Sequence, residues 1–126
     1  MSDFKEFSDI EPDLSYLNEV SGGSAEFIVD MINVFLEQTP IYFTELNQAV
    51  EKEDWKTTSE VAHKIKPTLV FMGVDKAKSA MEEIERKARQ LDSVEDIKAE
   101  LDKINLLCVH LYAKLEERKV ELEKSL

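Results

Sequence analysis

The sequence predicts an all-α protein: an antiparallel up-and-down four-helix bundle with an extra short helical segment at its N-terminus. Three observations carry this. Apolar residues recur at helical spacing along most of the chain. No run shows the polar–apolar alternation of a half-buried strand. The few glycines and prolines mark short connections, and short connections between amphipathic helices favour antiparallel neighbours.

A short apolar segment, Leu14 to Val20, ends at the "SGGS" of Ser21 to Ser24, and Ser24 stands where it can cap the next helix. From Ala25 to Gln38, Ile28, Met31, Ile32, Phe35 and Leu36 mark one apolar stripe. Thr39-Pro40 reads as a cap followed by a first-turn proline, so a bend is expected there, with a helix restarting over Ile41 to Lys52. Asp54 caps a helix from Trp55 to about Met72, closed by Gly73. Asp75 caps the next, to about Leu91, whose stripe is Ala77, Met81, Ile84 and Ala88. Ser93 to Asp96 resembles a capping box, with Asp where Glu or Gln is usual. It opens the longest segment, striped by Ile97, Leu101, Ile104, Cys108, Leu111, Leu115 and Leu122. Phe27, Val29 and Val34 widen the first long helix's apolar arc, and the opening residues Phe4, Phe7, Ile10 and Leu17 are expected to cover it. The chain thus reads as one domain, 1–126, with 1–23 as a cover segment.

Composition excludes several functions. A chain of 126 residues buries a core without metal or disulfide staples. Its net charge of -11 repels nucleic acid and anionic membranes. The lone Cys108 forms no internal disulfide and fits a reducing compartment as a small core residue. The N-terminus has neither region of a signal peptide, and no apolar run approaches bilayer length. A cytoplasmic protein is expected, and an initiating Met1 favours a free-standing one.

The informative stretch is "VAHKIKPTLVFMG", Val61 to Gly73. Helical residues turn by about 100° each, so with Ile65 at the centre of the buried stripe, Thr58, Val61, Ala62, Leu69 and Met72 fall within about 60° of it. His63 then lies about 160° away, in water. Ser59, Pro67 and Val70 share its face, and the apolar members suggest a docking surface. Lys66, three residues on, reaches the same space as the imidazole. An unperturbed imidazole is largely neutral near pH 7, and a neutral ring nitrogen attacks phosphorus while an ammonium steadies the phosphoryl oxygens. There is no glycine-rich phosphate loop or nucleotide pocket, so such a chain would pass on a phosphoryl group rather than make one from ATP.

These residues resemble the histidine-containing phosphotransfer (HPt) domains of bacterial multistep phosphorelays. The family's Ala-His-x-x-Lys-Gly core stands here as Ala62-His63-Lys64-Ile65-Lys66-Pro67, followed by Gly73 and "VDKAKSAMEEIERKAR". The likeness runs from about Leu14 to Arg89. It implies a four-helix bundle with His63 as phosphoacceptor, through the ring nitrogen farther from the backbone. Lys66 and Lys64 would steady the phosphoryl group. It also implies response-regulator receiver domains and a hybrid sensor histidine kinase as partners, a monomeric phosphocarrier without kinase activity, and no cofactor of its own, the receiver bringing the Mg²⁺. The departure is Pro67, where the family usually has glycine. Proline removes the N–H that the His63 carbonyl would accept, so a kink is expected, and Ser59, Pro67 and Val70 would form the docking face.

Two rivals come from other classes. Glu60 and His63 have the Glu-x-x-His spacing of di-iron bundles, but a second such pair is lacking, since His110 has Leu107 three residues before it. A helical adaptor without chemistry is the main alternative, and it would leave His63 dispensable. His110 itself reads as structural or incidental.

Overall fold

The computed structural model describes residues 10–126; Phe4 and Phe7 lie outside them. Among the described residues five α-helices follow one another: α1 Ser15–Val20, α2 Ala25–Glu51, α3 Trp55–Phe71, α4 Asp75–Gln90 and α5 Ile97–Glu123, with a 3₁₀ turn at Val94–Asp96 before the last. Helices α2 to α5 form the bundle, each packing on the next, and α2 closes against α5. Among the described residues there is no strand, and no helix is long and apolar enough to cross a membrane.

Two helix starts agree with the sequence. The Ser24 hydroxyl accepts from the Phe27 N–H at 3.1 Å, and the Asp54 carboxylate from the Thr57 N–H at 3.2 Å. Each satisfies an N–H that a helix leaves free in its first turn.

Several local expectations are corrected. The helix restart expected at Thr39-Pro40 is absent: α2 is one continuous helix with Pro40 inside it. Thr39 is no cap but is buried. The buried stripe Ile28, Ile32, Phe35, Thr39, Phe43, Leu46, Val50 passes through the proline without changing phase. Packing along that stripe outweighs the roughly 3 kcal/mol a mid-helix proline costs. Asp75 does not cap α4; Val74 takes that position and Asp75 is the first helical residue, where its charge favours the helix N-terminus. The Ser93–Asp96 box does not form, because Ser93 adopts a left-handed backbone and its hydroxyl turns to Asp92. Pro67 does not end α3, which runs unbroken to Phe71.

The core is a single cluster drawn from α1 to α5 and includes Leu17, Ile32, Leu46, Ile65, Leu69, Met81, Ile84, Ile104 and Leu111. Burying each such side chain contributes about 1.5–3 kcal/mol. Leu107 joins it from beside the expected stripe of α5, whereas Leu122 is only partly buried. Of the arc that 1–23 was expected to cover, Val29 is buried but Phe27 and Val34 remain exposed. Between α2 and α5, Asn47 and Asn105 exchange side-chain hydrogen bonds of 3.1 and 2.8 Å, which fix the register of the two helices.

The turn between α3 and α4 positions the site. Gly73 has φ +69°, and the N-terminal segment crosses directly over it, where the Asp13 N–H donates to the Met72 carbonyl at 2.9 Å. A Cβ on Gly73 would run into the Asp13 carbonyl oxygen and side chain. Gly73→Ala should therefore cost about 2 kcal/mol or more, since left-handed strain and a backbone clash add. The check is thermal unfolding, where the melting temperature should drop by several degrees. An unchanged melting temperature would mean that the segment 10–14 is not held against the turn.

Candidate functional site

His63 sits mid-way along α3 with its side chain 68% exposed, on the face opposite Ile65, as the helical phase requires. Its ring is held from below. Nδ1 lies 2.8 Å from Glu85 Oε2 on α4, and that carboxylate side chain is only 7% exposed. Lys66, one turn after His63, donates to the other oxygen, Oε1, at 3.3 Å. Arg89, one turn after Glu85, is paired with the same carboxylate. Glu85 is thus a nearly buried anion between the two helices, shared by an imidazole, an ammonium and a guanidinium.

Burial alone would raise the Glu85 carboxyl, but hydrogen bonds from Lys66 and His63 and their charges more than offset it, so Glu85 is held below the usual carboxylate range. An ionised carboxylate only accepts hydrogen bonds. The 2.8 Å contact therefore places a proton on His63 Nδ1, and in the neutral ring the lone pair belongs to Nε2. The sequence pattern brought His63 and Lys66 together; the structure joins both through Glu85, which that pattern missed.

Pro67 and Val70 are exposed and, with His63, Lys66, Phe71 and Lys78, line one open depression of about 260 Å³. Phe71 is stacked on Tyr16 of α1, ring centres 5.7 Å apart, so the N-terminal helix buttresses this face. Ser59 lies a turn before His63, half-buried, with its hydroxyl donating to the Lys56 carbonyl at 3.2 Å. Lys64 is not brought to the imidazole. Its ammonium lies over the Tyr42 ring, 4.7 Å from the centroid, and 3.9 Å from Glu45, both on α2.

The remaining reactive groups stand elsewhere. Cys108 is buried in the core, where burial pushes its thiol up to about 12, so it offers no thiolate. His110 lies on α5, half-buried. Glu60 is exposed, and among the described residues no group of three or more His, Cys, Asp or Glu side chains is arranged to hold a metal.

The fold and site together are those of a helical bundle that presents a carboxylate-oriented imidazole to solvent, beside a depression lined by apolar side chains and two lysines. The chain belongs to the Hpt domain family, whose model matches residues 30–119. The match runs from within α2 to near the end of α5, so it takes in the last helix, which has no motif of its own. Searches of curated proteins and of solved structures gave no match. Hpt domains are phosphocarriers that work with receiver domains and kinases, so phosphotransfer in a phosphorelay is this chain's general function.

Proposed function

We propose that this chain is a phosphocarrier whose acceptor is His63 Nε2, loaded by a receiver domain's aspartyl phosphate and discharged onto a second receiver. The observation that supports it best is the hydrogen bond from His63 Nδ1 to Glu85, which leaves the outward nitrogen nucleophilic. As the N–P bond forms at Nε2, the P–O bond to the aspartyl carboxylate breaks and that carboxylate leaves with the bonding pair. The ring gains positive charge in this step, and Glu85, already in contact with Nδ1, stabilises it. The Nδ1 proton stays between ring and carboxylate, so no separate base is needed. Transfer onward reverses these events.

Lys66 has the second role. Its ammonium is held at Glu85 beside the ring and is 27% exposed, so a small rotation brings it to the phosphoryl oxygens, while Arg89 keeps Glu85 paired. Lys64, engaged on α2, contributes at most by changing rotamer. The docking face is Pro67 and Val70 with Ser59 at its edge. Mg²⁺ is assigned to the receiver, and a hybrid sensor histidine kinase is assigned as the upstream source. The chain itself is expected to be monomeric, cytoplasmic and without kinase activity.

The test is transfer from a panel of ³²P-phosphorylated receiver domains with Mg²⁺. An acid-labile, base-stable label that maps to the peptide containing His63 is expected. Label stable to acid, or mapping elsewhere, would overturn the assignment of the acceptor.

A further inference from the structure

The depression beside His63 carries a cation that phosphoryl transfer as described does not use. Lys78, in the first turns of α4, lines it together with Lys66, Pro67, Val70 and Phe71. Lys66 is committed to the buried Glu85. The partner of Lys78 is different in kind: Glu82, one turn on at 2.9 Å, with both side chains more than two-fifths exposed. An exposed pair of this sort is worth at most about 1 kcal/mol, and Lys preceding Glu is the weaker order on a helix. The Lys78 ammonium is therefore easily redirected.

Two further features give it a use. The chain carries a net charge of -11, yet the charged side chains that line this depression, Lys66 and Lys78, are both cationic. One side of the depression is apolar, formed by Pro67, Val70 and Phe71, and a partner seated there would exclude water from the ammonium. Along α4, Lys78 is seven residues, about 10.5 Å, from Glu85. Its backbone position is thus about two turns of α4 away from the carboxylate that anchors the imidazole.

We infer that Lys78 is a specificity-determining contact that takes an acidic side chain of the docking receiver domain, next to the reacting phosphoryl group rather than on it. This rests on the phosphocarrier reading. Receivers with a carboxylate facing this position are accepted, and those with a neutral or basic side chain there are disfavoured by an unmatched ammonium at a drying interface.

The experiment compares the parent with Lys78→Glu and Lys78→Arg, using the receiver that loads the parent fastest and, separately, phosphoramidate as a small phosphoryl donor. With the receiver, Lys78→Glu should lower kcat/KM by about tenfold, through KM, and Lys78→Arg should keep the parental value. In about 1 M salt, where the screening length is near 3 Å, the difference should collapse. Loading by phosphoramidate, which needs no docking, should be the same for all three. Equal receiver kinetics for parent and Lys78→Glu would overturn the inference. So would a parallel loss with phosphoramidate, which would put Lys78 on the phosphoryl group itself. Failure of every receiver to load the parent at His63 would overturn the carrier reading and this inference with it.

Discussion

His63→Gln should abolish phosphoryl acceptance, to the background of the assay, while leaving the fold intact. The carboxamide has no nucleophilic nitrogen, so no N–P bond forms whatever the receiver. Glutamine does keep an N–H donor that can reach Glu85, and the position is largely exposed, so stability should change by no more than about 0.5 kcal/mol. His110→Gln is the control for the other histidine and should accept label like the parent. Measured side by side from one receiver, the three proteins separate the readings. Label that persists in His63→Gln would mean another acceptor. Equal binding of receivers by all three proteins, with no label on any of them, would favour an adaptor.

The second large effect is expected at Glu85. Glu85→Ala removes the acceptor for His63 Nδ1–H, so the proton distributes over both ring nitrogens and the lone pair is no longer fixed at Nε2. It also frees Lys66 and Arg89 from the carboxylate that gathers them. A loss on the order of ten- to a hundredfold in the transfer rate is expected. Glu85→Gln should lose less, because its carbonyl oxygen still accepts from Nδ1 while the negative charge is gone. Parental rates in Glu85→Ala would remove the carboxylate from the mechanism.

Stability gives an independent reading of the same group. Glu85 is held below its ordinary range when folded, so its stabilisation is present above the unfolded value, near ~4.3, and is lost as pH falls through the lower folded one. Denaturant midpoints measured from about pH 7 down to about pH 3 should therefore fall more steeply for the parent than for Glu85→Gln. Coincident slopes would mean the carboxylate gains nothing from its three partners.

The bundle was legible in the sequence because helix boundaries are marked locally. Ser24, Asp54 and Gly73 act where they stand, through hydrogen bonds and dihedral angles within a few residues. The outward direction of His63 followed from phase alone. Pro40 misled because proline's local cost was weighed without the stripe around it; that stripe, regular on both sides, was the available signal. Glu85 was missed for a related reason. In "MEEIER" it reads as one of several solvated acids, and only the approach of α3 buries it. One hint was present: Glu85 lies four residues after Met81 and three before Ala88, both core positions. Lys64 shows the reverse limit, since sequence proximity to His63 said nothing about Tyr42 and Glu45 on another helix.

The position of Glu85 also bears on how the protein folds. The imidazole and its carboxylate are 22 residues apart, within the α3–α4 hairpin closed by the Gly73 turn. Contacts of such short range cost little chain entropy to close and tend to form early, whereas the α2–α5 seam joins distant parts of the sequence. Competence for chemistry is thus a property of the most local tertiary unit in the chain. Sequence drift in α1, α2 and α5 can then proceed without disturbing the His63–Glu85 contact on which the proposed transfer relies.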